Sequence, residues 1–201
     1  MVLENRLGLI NQVKLAKAEE KLSKQKAKKL YDSGKIDKIE VGTFKGLSEI
    51  HEFLFSEIYD FAGKIRTVNI VKENFRFAPV VYLEHSLKYI DQMPQTSFEE
   101  VIKKYVEMNI AHPFREGNGR STRIWLNLIL KEELQKVVDW NLINKEDYLS
   151  AMKRSPINDL EIRYLISNAL TDKIDDRELY MKGIDVSYFY EGYSEYTIDD
   201  L

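Results

Sequence analysis

Apolar residues recur at intervals of three and four along almost all of this 201-residue chain, and one stretch breaks the rhythm. That spacing gathers side chains on one face of a helix, so the predicted fold class is all-α. The exception is residues 65–82, IRTVNIVKENFRFAPVVY. Val68 and Ile70, then Phe75 and Phe77, alternate with polar neighbours; Lys72, Glu73 and Asn74 lie between the two runs, and Pro79 closes the second. This is the pattern of a short β-hairpin. No internal repeat, low-complexity run or Pro/Gly-rich linker divides the rest. A length of 201 residues supports one sizeable core, so a single domain over residues 1–201 is expected.

The helical segments can be bounded from their ends. LSEIHEFLFSEIYDFAG (47–63) has Ser48 as its opening residue and Gly63 as its stop. LEHSLKYIDQM (83–93) follows, then SFEEVIKKYVEMNIAH (97–112), whose Ser97 and Glu100 form a capping-box pattern. GRSTRIWLNLILKEEL (119–134) takes much of its apolar face from Ile124, Leu128 and Leu134. Asn144 and Asn158 are cap candidates for two more helices. The end of the chain, GIDVSYFYEGY, reads as a short segment between Gly183 and Gly192.

Composition removes several classes of function. The chain has no cysteine, which excludes disulfides, thiolate nucleophiles and zinc–thiolate sites. No apolar run approaches the roughly 18 residues that cross a bilayer, and the N-terminus lacks the apolar core of a signal peptide. No membrane association and a cytoplasmic location are expected. The net charge of −3 conceals an asymmetry: residues 1–40 carry ten Lys/Arg against six Asp/Glu, and residues 172–201 carry three against nine. The basic N-terminal arm could contact nucleic acid, but it has no aromatic series for stacking bases. A solvated helix face, with Glu20 and Lys24 as a weak i,i+4 pair, is the preferred reading, so direct nucleic-acid binding is not expected. The acidic tail is either a solvated end or docks on a positive site in the same chain.

The densest chemistry lies at 112–123, HPFREGNGRSTR. Gly117 and Gly119 permit backbone angles that other residues adopt only at a cost. If a helix starts near Asn118, its first amides lack helical partners and point into the loop, forming an anion cradle at the positive end of the helix dipole. Arg120 and Arg123, three residues apart, suit a polyphosphate. Glu116 beside such a site suggests a divalent cation between carboxylate and phosphate, Mg²⁺ above all. His112 is the group in this stretch whose pKa lies near neutrality, as a general base requires. The same residues also fit a plain helix–helix turn with His112 as a helix cap. Phe114 reads as a core anchor either way.

HPFREGNGRSTR closely resembles the signature of the Fic domain family, His-x-Phe-x-Asp/Glu-Gly-Asn-Gly-Arg-x-x-Arg, at every specified position. Upstream, GLSEIHEFLFSEIYDFAGKIRTVNI is similar to that family's helix and Gly-Lys-Ile-Arg entry, and ENFRFAP to its flap. The resemblance covers about residues 43–170, with the basic arm 1–40 ahead of it. It implies a Fic-type helical bundle with one hairpin flap, and protein adenylylation: AMP passes from ATP to a Ser, Thr or Tyr hydroxyl of a target protein. On that pattern His112 takes the hydroxyl proton and Glu116 holds Mg²⁺. Asn118 with the amides around Gly117 and Gly119 stabilises the α-phosphate. Arg120 holds the β-phosphate and Arg123 the γ-phosphate. The flap, here Asn74, Phe75, Arg76 and Phe77, pairs with an extended target segment. Some bacterial relatives are growth-arresting toxins acting on type II topoisomerase subunits, which makes such a subunit a family-level partner. Others transfer phosphate, UMP or phosphocholine; the phosphorylating ones carry lysine where this chain has Gly119. A non-catalytic ATP-binding regulator is the alternative from outside enzymology, and a homo-oligomer is compatible with either.

SYFYEG at 187–192 is similar to the family's inhibitory motif, Ser/Thr-x-x-x-Glu-Gly/Asn. Ser187, Glu191 and Gly192 match it, at the C-terminal position of one subgroup, with the inhibitory segment at about 184–192. The resemblance implies autoinhibition, with Glu191 on Arg123 in the γ-phosphate position. Tyr188 is a candidate for self-modification. His51 and His85 read as packing or hydrogen-bonding residues, and Tyr148 and Met152 as core side chains that could also line an adenine pocket.

Overall fold

The computed structural model describes residues 2–72 and 75–201. Among them are eight α-helices and two antiparallel pairs of two-residue strands. Helix α1 (Gln12–Asp32) is capped by the Asn11 side chain, and α2 (Phe44–Phe55) by that of Thr43. The first hairpin, β1 (Val71–Lys72) with β2 (Phe75–Arg76), pairs Val71 with Arg76 and Lys72 with Phe75. Helices α3 (Val80–Gln92), α4 (Phe98–Ala111) and α5 (Asn118–Leu134) follow. Strand β3 (Val137–Val138), helix α6 (Lys145–Arg154), helix α7 (Leu160–Asn168), strand β4 (Leu170–Thr171) and helix α8 (Arg177–Tyr190) complete the order.

Helix α5 is the axis. Its Ile124, Trp125, Leu126, Leu128, Ile129 and Leu130 are all buried, and α2, α4 and α8 pack around it. A helix apolar on nearly every side must be enclosed, and this enclosure fixes both its ends. Its first turn, carrying the signature residues, is thereby held at one place in the core.

Several expected boundaries move. The capping box of Ser97 and Glu100 is present. Ser48, however, lies inside α2; its hydroxyl instead donates to the carbonyl of Gly63, and the helix ends at Phe55. Val68 and Ile70 precede the first strand rather than belonging to it, because pairing starts only at Val71. Asn158, the expected cap of α7, lies one residue ahead of the observed cap position Asp159, though its side chain accepts from the amide of Leu160. Residues 183–190 of the expected end segment are the second half of α8, which starts at Arg177 and ends at Tyr190 with Glu191 as its cap. The β3–β4 pair was not expected; two-residue strands are too short to show an alternation. Asn74 lies outside the described residues.

The largest departure concerns α1. Glu19, Glu20, Ser23 and Lys24 are buried, not solvated. Lys24 pairs with Glu20 at 3.1 Å and with Asp185 of α8 at 2.9 Å, and donates to the carbonyl of Tyr196. Glu20 accepts from the amides of Glu195 and Tyr196, and Lys17 pairs with Glu195. The acidic tail therefore docks on the N-terminal helix. Helical spacing alone cannot distinguish a solvated charged face from one whose counter-charges arrive from the far end of the chain.

Candidate active site

Helix α4 ends at His112, which takes the left-handed conformation (φ 49°, ψ 61°) as its cap. Pro113 follows at once, a residue that cannot continue a helix. Arg66 fixes this corner. Its guanidinium donates to the carbonyls of His112, Ala111, Ala78 and Val68, and its backbone amide donates to Pro113. The imidazole of His112 stacks on Phe77 with centroids 3.7 Å apart. Burial above all, and then the positive charge of Lys72, hold the ring down to about 3, against the pull of Glu191. It is neutral at physiological pH with one ring nitrogen unprotonated, but burial sets it well below the near-neutral value expected of a general base.

The loop from Pro113 to Gly117 is tied from within. Phe114 is fully buried against His51, and the Asn118 side chain accepts from the Phe114 amide and donates to its carbonyl, both at 2.8 Å. His51 accepts from the Gly63 amide through Nδ1, so its Nε2 carries the proton and donates to the Glu116 carbonyl at 2.8 Å. Gly117 has φ 79°, and a Cβ there would meet Phe55 at 2.6 Å. Helix α5 starts on the next residue, near the expected start, and its first amides have no partner within the helix.

The two signature arginines have different surroundings. Arg120 is 1% exposed. It lies 2.6 Å from Glu19 of α1 and 3.3 Å from Glu116, among the rings of Phe55, Tyr188 and Tyr193. Arg123 donates through Nε to the Ser187 hydroxyl at 2.7 Å, and through one terminal nitrogen to the Ser187 carbonyl and the Glu191 carboxylate. Burial, the strongest influence on Glu191, would raise its pKa; Arg123, Lys72 and Arg120 together outweigh it and hold the carboxyl at about 2. Gly192 follows with φ 90° and turns the chain toward the tail.

A cavity of about 570 Å³ opens beside these residues. His112, Gly119, Arg123 and Glu191 line one wall. Lys72, Phe75 and Phe77 of the hairpin form another, and Tyr148 and Met152 of α6 a third. Tyr148 is nonetheless buried and hydrogen-bonded to Tyr105, so it serves core and cavity together. A Cβ on Gly119 would sit 2.1 Å from Glu191, which puts the Glu191 carboxylate against the first turn of α5. The structure thus brings His112, Gly119, Arg123, Ser187 and Glu191 to one place. Arg120 and Tyr188 lie behind this wall, Tyr188 buried between Lys24 and Arg120. His85 is exposed on α3. Arg66, Glu19 and Lys72 also shape the site; Arg66 and Lys72 belong to the hairpin segment 65–82, but nothing in the sequence marks any of the three side chains as part of it.

A helical bundle whose enclosed central helix opens on a Gly-Asn-Gly turn, with a buried neutral histidine one turn away, defines the class. The chain belongs to the Fic/DOC family, which residues 43–130 match. Among curated proteins it is 31% identical to the protein adenylyltransferase VbhT of Bartonella schoenbuchensis, over 75% of this chain and 33% of that protein. It therefore spans about a third of VbhT. It is 27% identical to the probable protein adenylyltransferase y4lH of Sinorhizobium fredii, over 82% of this chain and 91% of the relative. Among solved structures, the AMPPNP-bound BepC protein of Bartonella tribocorum superposes with a TM-score of 0.68 at 19% identity, covering 85% of this chain and 93% of that one. Among the described residues no helix is long and apolar enough to cross a membrane.

Proposed function

We propose that this chain is a protein adenylyltransferase that transfers AMP from ATP to a hydroxyl side chain of a target protein, and that Glu191 holds it inactive. The observation that carries the reading is the shared cavity wall: a neutral buried His112, the first turn of α5 and Arg123 face one space large enough for a nucleotide. The relatives named as adenylyltransferases support the choice of AMP.

In the reaction the target hydroxyl oxygen attacks the α-phosphorus. A ring nitrogen of His112 takes the hydroxyl proton, the bond from α-phosphorus to the bridging oxygen of the β-phosphate breaks, and pyrophosphate leaves. The free amides of Asn118 and Gly119 meet charge growing on the α-phosphate. Arg123, once free of Glu191, holds the γ-phosphate; Arg120, expected on the β-phosphate, is buried behind the cavity wall and paired with Glu19, so it would act on that phosphate only at a distance.

The residues fit a magnesium ion. Glu116 keeps its side chain 33% exposed, and among the described residues no group of three or more His, Cys, Asp or Glu forms a protein cage. One carboxylate with phosphate oxygens is how Mg²⁺ is usually held. Bound there, it would neutralise phosphate charge.

Extended targets would pair with the hairpin edge at Phe75, Arg76 and Phe77; a type II topoisomerase subunit is the first target to try, in a cytoplasmic, toxin-like role. Tyr188 becomes a self-modification candidate only when α8 leaves its place.

The test is transfer of label from α-labelled ATP with Mg²⁺, into the chain itself and into bacterial lysate. Wild type should be weak, Glu191→Gly strong, and Glu191→Gly with His112→Ala silent. Transfer of γ-label instead, or from another nucleotide, would reassign the reaction. Silence with every donor would favour a nucleotide-binding regulator.

A further inference from the structure

Arg120 is a guanidinium removed from water, and two carboxylates share it unequally. Glu19, 2% exposed, is the near partner at 2.6 Å; Glu116 is the distant one at 3.3 Å and keeps a third of its side chain open to solvent. Three rings confine the guanidinium, so its position does not depend on either acid. Glu19 is itself fixed, accepting from the hydroxyls of Tyr59 and Tyr193. These partners come from four separate parts of the chain and converge on one charge.

A buried cation draws the nearest available anion into a tight pair, because nothing else offsets its lost hydration. Were Glu19 absent, Glu116 would be the remaining carboxylate within reach of Arg120. It would close on the guanidinium, and its oxygens would be occupied.

We propose that Glu19 is a positioning residue: by neutralising Arg120 from the N-terminal helix, it leaves the Glu116 carboxylate available to a divalent cation. The inference rests on the nucleotide-transfer reading for the cation's use, but the arrangement of Glu19, Arg120 and Glu116 stands independently of it. It also gives α1 a part in the chemistry although α1 contributes nothing to the cavity wall. Glu20, the next residue, is equally buried but serves the tail amides of Glu195 and Tyr196. It is therefore the matched control.

The experiment uses the full chain with Glu191→Gly, so that turnover is measurable. Free Mg²⁺ is titrated at saturating ATP in this background alone and with Glu19→Gln or Glu20→Gln added. Binding of Mn²⁺ with a non-hydrolysable ATP analogue is followed in parallel by the loss of the free Mn²⁺ electron-spin signal, in His112→Ala versions that cannot turn over. Glu19→Gln should raise the half-saturating Mg²⁺ and Mn²⁺ concentrations about 10-fold, the usual consequence of losing a group that supports a metal ligand. Its kcat at saturating metal should be retained. Glu20→Gln should lower the melting temperature and leave the metal dependence in place. Glu19→Asp, which keeps the charge but withdraws it by one methylene, should fall between, and it decides the matter if Glu19→Gln does not fold. An unchanged metal dependence in the Glu19 variants, or an equal shift in Glu20→Gln, overturns the proposal. If Glu191→Gly transfers no label from any nucleotide, the functional reading fails, while the Mn²⁺ titration still decides the role of Glu19.

Discussion

Arg123 and Glu191 stand 68 residues apart in sequence and meet at 2.7 Å, where the guanidinium of the central helix faces the cap of the last one. The pair is reinforced by two bonds from Arg123 to Ser187, one turn earlier on α8. Residues i and i+4 share a helix face, so Ser187 and Glu191 approach Arg123 together. Replacing Glu191 with Gly removes the charged partner and leaves the Ser187 contacts. The expected cost is about 1.5–3 kcal/mol, typical of a hydrogen bond to a charged group, and below that of breaking a fully buried pair because a fifth of the Glu191 side chain is exposed. Thermal unfolding of the two proteins measures it, alongside a rise in transfer activity.

Gly119 makes a second test of the same contact. A methyl group there meets the Glu191 carboxylate at 2.1 Å, too close for both to stay. Gly119→Ala should destabilise the wild-type chain by about 1–3 kcal/mol through overpacking. In the Glu191→Gly background only the tip of the flexible Arg123 side chain, at 3.1 Å, has to give way, and the substitution should be neutral or stabilising by up to about 1 kcal/mol, the ordinary advantage of Ala over Gly inside a helix. A double-mutant cycle reads the coupling directly. Additive effects would show that Glu191 does not occupy this position in solution.

What the sequence made legible follows the range of the interactions involved. His112 through Arg123 could be read because the turn, the helix start and the charged side chains are neighbours in the chain, and each has a local signature. Ser97 with Glu100 was legible for the same reason. The buried pairing of Glu19 with Arg120 was not, since nothing near Glu19 separates it from the exposed Lys14, Lys17 and Lys21 on the same helix. Lys24 sits between Glu20 and Asp185 and not in solvent, and the sequence hides this because Asp185 belongs to a helix at the other end of the chain. Ser48 failed as a cap because Thr43 lies earlier, with its side chain already bonded to the amide of Gly46. Long-range electrostatics and competing local caps thus set the limit, not weak patterning.

Arg66 joins the entry to the hairpin to the backbone of the loop that starts at His112. Its four side-chain bonds reach carbonyls on both sides of His112 and on the hairpin's return. Arg66→Met would bury those carbonyls without donors, at a cost of about 3 kcal/mol or more. Transfer should also fall about 100-fold, since a small displacement of the His112 ring spoils the attack geometry. Arg66→Lys should rescue neither quantity, because an ammonium cannot reproduce the planar fork. Denaturant unfolding with single-turnover transfer measures both; full activity in Arg66→Lys would mean that charge alone sufficed.

The two buried histidines predict an acid sensitivity that begins above the carboxylate range. Burial is the principal cause for both His51 and His112, and each is held near 3 in the fold against an ordinary value of 6.5. Below 6.5 the unfolded chain takes up two protons that the folded chain refuses, so the unfolded state gains and stability falls as pH drops. The limiting slope for two sites is about 2.7 kcal/mol per pH unit, large against a typical total of about 5–15 kcal/mol. Glu191 contributes later: its low pKa stabilises the fold above 4.5, and that contribution is lost as pH falls toward 2. Urea unfolding between pH 7.5 and 5 should show the two-proton slope. His112→Asn, whose side chain tolerates the left-handed backbone at that position, should reduce it to one proton. Transfer by Glu191→Gly should meanwhile stay level across the same range, because the base remains unprotonated. A stability curve flat from pH 7 to 5, or an activity limb centred near 6.5, would place His112 in water and remove the basis for its role.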